Sequence, residues 1–235
     1  MSPYGRRNMN IIKKIWESSR ESRCIMISII DYDAGNIKSV EKALIHLGQE
    51  AVITKERDLI LKSDGVILPG VGAFGDAMTR LRASGLDKVI YEVVEHKIPL
   101  LGICLGLQLF FDSSEESPGV PGLSLLKGRI LRIPDKAGLK IPHMGWNSIK
   151  ISKKSRLFKD IPDDSYVYFV HSYYLSAEDT EDVAAVTHYS TKIHAAVEHD
   201  HIYACQFHPE KSSTVGLRIL QNFVDLTGTG SVQNI

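Results

Sequence analysis

Three short stretches of this chain carry residues whose types and spacing suit the making and breaking of an acyl bond. The first is Gly102-Ile103-Cys104-Leu105-Gly106. An apolar run that ends in Gly-x-Cys-x-Gly and passes at once into a helical pattern reads as a nucleophile elbow, where flanking glycines allow a sharp turn that presents the side chain. The start of a helix also favours an anion there. Most lone cysteines are small buried hydrophobes, but the paired glycines and the strand-to-helix switch favour the elbow. The second stretch is His208-Pro209-Glu210. A thiolate in acyl transfer needs a base, and the base needs an orienting group. Residues i and i+2 of an extended segment point the same way, and a proline biases the residue before it towards extended backbone. Glu210 can therefore bond one imidazole nitrogen while the other faces Cys104. The third stretch is Pro69-Gly70-Val71-Gly72-Ala73-Phe74-Gly75. Its backbone N–H groups can stabilise a tetrahedral oxyanion or cradle a phosphate.

Other readings of these residues stay open at this level. Residues 70–75 fit the dinucleotide fingerprint Gly-x-Gly-x-x-Gly, but they follow a later strand than the first and lack the Lys-Ser/Thr ending of a P-loop. Among the nine histidines, His143, His171, His194, His199 and His201 are rival bases. His199-Asp200-His201 resembles a metal pair, yet alternate residues at a turn are more simply a solvated hairpin tip, and no third ligand is evident. No metal or cofactor is expected.

The elements that must hold these residues alternate from Met26 onwards. Residues 27–30, 66–68 and 99–103 read as buried strands, the middle one ending at Pro69-Gly70, and residues 36–47, 75–81, 86–96 and 105–111 read as helices. That order predicts an α/β fold with a parallel sheet and helices on both faces, because parallel neighbours need crossover connections. After Pro118 the pattern changes. Strands are predicted over 129–133, 146–151, 166–170, 184–187, 194–198 and 202–207, then a last helix over 214–226. The C-terminal half should add antiparallel strands to the first sheet, giving one α/β domain over residues 26–235.

Composition narrows the function classes. At 235 residues the chain suits one large domain, or at most two small ones. Lys+Arg 28 against Asp+Glu 28 leaves a net charge of 0, without the basic excess of a nucleic-acid binder. No stretch approaches the roughly 20 apolar residues of a membrane span. Cys24, Cys104 and Cys205 cannot all pair and lie far apart, so a reducing cytoplasm is the default compartment. Residues 1–25 form a basic extension with Ile11, Ile12, Ile15 and Trp16 at helical spacing. A docking helix or a targeting segment would explain it, but the favoured expectation is a wrongly chosen upstream start, with Met26 the working one and the extension mostly mobile.

The constellation of Cys104, the Gly70 turn and His208-Pro209-Glu210 resembles the class I, triad-type glutamine amidotransferases. Within them, residues 31–36, 69–74, Pro142-His143-Met144-Gly145-Trp146-Asn147, Phe169-Val170-His171-Ser172-Tyr173 and residues 206–213 look like the HisH-type glutaminase subunits of imidazole glycerol phosphate synthase. The likeness runs from about Met26 to the last helix. It implies a class I amidotransferase fold, a flavodoxin-like open and mostly parallel sheet, with Cys104 as nucleophile on the glutamine side-chain amide, His208 as proton shuttle and Glu210 as its orienting partner. It implies an oxyanion site around Gly70, Val71 and Gly72, and glutamine held by Gly72, Gln108, Ser172 and Tyr173, where Ser172 replaces a common threonine. It also implies a heterodimer with a separate HisF-type cyclase, a (β/α)8 barrel that receives the ammonia and for which this chain has no room. Asn36, Trp146, Tyr168 and Lys211 are the interface candidates on the same ground. Alternatives are a triad glutaminase serving a different synthase, a non-catalytic regulatory scaffold, and a cysteine hydrolase of a related elbow-bearing fold.

Overall fold

The computed structural model describes residues 25–33, 35–152 and 154–229. Except for Ile25, the basic extension lies outside them. The N-terminal half runs β1 (Met26–Ile30), α1 (Ile37–His46), β2 (Glu50–Thr54), α2 (Arg57–Ile60), β3 (Gly65–Gly70), α3 (Phe74–Ser84), α4 (Leu86–Glu95), β4 (Leu100–Cys104) and α5 (Leu105–Leu109). The C-terminal half adds β5 (Ser113–Ser114), β6 (Gly128–Arg132), β7 (His143–Ile151), β8 (Ser165–His171), β9 (Tyr173–Ala177), β10 (Val183–Tyr189), β11 (Thr191–His199), β12 (Ile202–Cys205) and α6 (Ser213–Thr229).

The strands run β2-β1-β3-β4-β12-β11-β10-β7-β8 across the sheet. The first five are mutually parallel, in the flavodoxin-like order in which ligands sit beyond the carboxyl ends of the strands. From β12 outwards the pairings β12-β11, β11-β10, β10-β7 and β7-β8 are antiparallel, and β9 joins β11 to β6. Burial on both faces explains the unbroken apolar runs of the parallel strands. Along β3, Val66 and Leu68 pack towards α3, α4 and α5, while Ile67 packs on the other side with α1 and α6. The helices supply matching stripes, Leu86, Val89, Ile90 and Val93 in α4 and Ile37, Val40, Ala43 and Leu44 in α1.

Sequence and structure differ in the shallow elements. No strand was predicted over β2, whose residues are mostly half-buried at the sheet edge, or over β9, which follows β8 after a single residue. The helix predicted over 105–111 is only the five residues of α5.

The junction from β4 to α5 depends on closeness of backbones. A Cβ placed on Gly106 would stand 1.9 Å from the Leu68 carbonyl oxygen, and one on Gly102 would stand 2.7 Å from the Phe110 ring. Because the contact at Gly106 is with backbone, no side chain can rotate away. Gly106→Ala should therefore lower stability by about 2–3 kcal/mol or more through overpacking, read as a reduced midpoint in urea unfolding; an unchanged midpoint would mean that this approach is not constraining.

Candidate active site

The cysteine of the elbow sits in strained backbone. Cys104 has φ 55° and ψ −107°, a left-handed conformation that side-chain-bearing residues avoid. It ends β4 directly opposite Gly70, the last residue of β3. The turn throws its sulfur into a cavity of about 320 Å³ at the carboxyl edge of the sheet, while the residue itself stays 6% exposed.

His208 arrives from the other half of the fold. β12 lies beside β4 and delivers His208 just before a short 310 turn over Pro209–Lys211. His208 lines the same cavity as Cys104. Its Nδ1–H donates to Glu210 Oε1 over 2.8 Å, and both side chains are buried from solvent, 1% and 0% exposed. Its Nε2, buried and without an aligned hydrogen bond among the described residues, is left to the sulfur. Burial alone would lower the pKa of this ring, but Cys104 and Glu210 more than reverse that and raise it to about 10. The two neighbours thus favour the protonated ring beside the sulfur.

Val71, Gly72, Gln108, Ser172 and Tyr173 all line the cavity with Cys104 and His208. Gly70 does not; a Cβ there would stand 2.3 Å from the Tyr32 hydroxyl, so its place is in the packing behind the turn. That hydroxyl donates to the Pro69 carbonyl over 3.0 Å and braces the turn from below. Burial holds the Tyr32 phenol well above its usual range.

Several residues to which the sequence reading gave no role also bear on the site. Leu105, immediately after Cys104, lines the cavity. Glu116 lines it as well and accepts from the Phe74 N–H over 2.7 Å. Gln206 is fully buried beside the sulfur, and a polar residue inside the apolar run 202–207 is the signal that marks it. Of the interface candidates, Trp146 is 53% exposed and stands edge-on to Tyr168 with centroids 6.1 Å apart. Lys211 is exposed. Asn36 instead turns inward, its Nδ2–H donating to Glu210 Oε1 over 2.7 Å.

The rival histidines are engaged elsewhere. His199 meets Asp182 over 2.8 Å, and His201 donates to the Val94 carbonyl over 2.9 Å, so the two point to different partners. His194 accepts from the Ala177 N–H. His143 and His171 form a buried chain whose direction a carbonyl decides: His171 Nδ1–H donates to the Tyr173 carbonyl over 2.9 Å, so its Nε2 accepts from His143 Nδ1–H over 3.0 Å. His143 Nε2 in turn accepts from Asn147 Nδ2–H over 3.3 Å. Both rings are neutral, burial pulling His171 down to about 3 and His143 to about 4. A larger cavity of about 720 Å³ lies between residues 151–161 and α6, without a cysteine or histidine in its lining.

The chain belongs to the class I glutamine amidotransferases, the family model "Glutamine amidotransferase class-I" matching residues 28–226. Its relatives narrow the class further. It is 48% identical over 200 residues to the imidazole glycerol phosphate synthase subunit HisH of Moorella thermoacetica, a match covering 85% of this chain and 94% of that protein. The HisH subunit of Methanocaldococcus jannaschii is 45% identical over 201 residues, 86% of this chain and all of that protein. Among solved structures, a glutamine amidotransferase superposes with a TM-score of 0.68 at 19% identity, over 86% of this chain and 98% of that one. The PurLQS structure from Thermotoga maritima gives 0.68 at 18% identity, over 87% and 99%. At such identities these two matches speak for the fold.

The buried histidine pair carries a pH dependence of known sign. Unfolded, each ring takes up a proton below about pH 6.5, whereas folded it resists until about 4 or lower. Stability should therefore fall as pH drops from about 6.5 towards 4, by up to about 1.4 kcal/mol per pH unit for each ring. His171→Gln, which keeps a donor for Tyr173 and an acceptor for His143, should flatten that slope in urea titrations; an unaltered slope would count against the neutral chain.

Proposed function

We propose that this chain is the glutaminase subunit of an imidazole glycerol phosphate synthase, working in histidine biosynthesis in the cytoplasm. The observation that carries the chemistry is the convergence of Cys104 and the Glu210-held His208 on one cavity, from strands that meet only because β12 pairs with β4. High identity to HisH subunits over nearly their whole length supports the particular synthase. Among the described residues no helix is long and apolar enough to cross a membrane.

The reaction follows from these groups. His208 Nε2 takes the proton of Cys104, and the sulfur attacks the side-chain amide carbon of glutamine. Negative charge moves to the amide oxygen, where N–H groups of the Val71–Gly72 turn and of Leu105 stabilise it. As the tetrahedral adduct collapses, His208 returns its proton to the leaving nitrogen, and ammonia departs from a cysteinyl thioester. Water then adds to the thioester with His208 again as base, releasing glutamate and regenerating the thiol. Gln108, Ser172 and Tyr173 line the remaining wall and hold the amino-acid end, with the Glu116 carboxylate the natural partner for the substrate ammonium.

Ammonia is useful as a nucleophile only while unprotonated, so release into neutral water would waste it. The chain accordingly passes it to a separate cyclase subunit, a HisF-type (β/α)8 barrel, which makes imidazole glycerol phosphate and an aminoimidazole carboxamide ribotide. The exposed side chains Met144, Trp146 and Tyr166 on β7 and β8 form an apolar rim suited to that partner. Trp146, Tyr168, Lys211 and Asn36 remain the residues proposed for this contact, Trp146 and Tyr168 standing edge-on.

Cys104→Ala, assayed in complex with the cyclase, should abolish glutamine-dependent synthesis and leave ammonia-dependent synthesis nearly intact. Retained glutamine use would remove Cys104 as nucleophile. Loss of both activities would argue against transfer between two sites.

A further inference from the structure

Two glutamines link the cavity to the nucleophile, and one carbonyl fixes the direction of their hydrogen bonds. Gln108 Nε2 lies 3.0 Å from the Tyr173 carbonyl oxygen. A carbonyl only accepts, so Gln108 must present its NH2 there. The same nitrogen lies 3.1 Å from the Gln206 side chain, which must therefore turn its oxygen towards Gln108. The NH2 of Gln206 is left facing the Cys104 sulfur at 3.7 Å. Nothing about this glutamine is loose. It is fully buried, and its backbone N–H donates to the Ala195 carbonyl over 2.8 Å, one residue beyond the last paired position of β12 and β4.

Chemistry gives this donor a use. When Cys104 passes its proton to His208, the sulfur becomes negative at a position that water barely reaches. A buried anion needs hydrogen-bond donors in place of water. The His208 imidazolium supplies one from the base side, and Gln206 Nε2–H supplies a second from the strand beside the elbow.

We infer that Gln206 is a positioning residue of the amide-splitting reaction, donating the hydrogen bond that holds the Cys104 sulfur ready to attack and tying it to Gln108 in the substrate cavity. The inference rests on the glutaminase reading and adds a member to its machinery. Gln206 needs no contact with glutamine itself, so its loss should appear in turnover rather than in binding.

Gln206→Glu replaces the donor with a carboxylate oxygen of the same size, and Gln206→Met replaces it with an apolar chain of similar length. Iodoacetamide alkylation of Cys104, followed by peptide mass mapping, reports the attacking sulfur at about pH 6.5 and about pH 9, below and above the ordinary thiol range. Gln206→Glu should slow alkylation about tenfold or more at the lower pH and much less at the higher one, with kcat for glutamine falling in parallel and KM nearly unchanged. Gln206→Met should show a smaller loss of the same sign, and it carries the test alone if circular dichroism shows the glutamate variant unfolded. Wild-type alkylation at both pH values in a folded variant, or an effect confined to KM, overturns the inference. Glutaminase activity surviving in Cys104→Ala would instead overturn the reading beneath it.

Discussion

A carboxylate side chain buried from solvent needs hydrogen-bond donors in place of water, and two of them converge on one oxygen of Glu210. Glu210 Oε1 accepts from His208 Nδ1–H and from Asn36 Nδ2–H, with the side chain wholly buried. A charge in such a place persists only if paired and hydrogen-bonded. The pairing fixes the imidazole orientation, keeps its Nε2 directed at the sulfur, and makes the ring basic enough to take the thiol proton. Remove the carboxylate, and the ring loses both its orientation and its reason to be charged.

The two halves of the sheet divide this task. Parallel strands β3 and β4 end at the glycine turn and the elbow, whose shape follows from backbone contact at Gly106. The antiparallel half supplies His208 through β12 and the opposite wall through the end of β8 and the start of β9. The Tyr173 carbonyl joins the systems, accepting from both Gln108 and His171. One backbone oxygen thereby orders two side-chain chains, one leading to the sulfur and one to the buried histidine pair.

The deep features were legible in sequence, and the shallow ones were not. β3 and β4 announce themselves as apolar runs because both of their faces are covered, and α4 shows its stripe because it has one buried side. β2 has no such contrast, since most of its residues are only half-buried. The elbow and His208-Pro209-Glu210 could be read because each is local, set by neighbours one or two positions away. Asn36 lies 174 residues from Glu210 and Gln206 lies 102 from Cys104, so no local pattern announces their contacts. His143 and His171 were equally hard to separate from a catalytic base, because what distinguishes them is that each ring nitrogen already has a partner.

The edge of the sheet bears on the middle of the site in one more way. Tyr168 of β8 accepts the His208 backbone N–H over 2.9 Å, and its own N–H donates to Ser212 Oγ, whose hydroxyl donates back to the His208 carbonyl. The same tyrosine ring abuts the exposed Trp146. The backbone of His208 is thus slung from the strand that carries the apolar rim, as a clapper hangs from its bell. A shift of β8 at that rim would pull on the backbone from which the His208 ring projects.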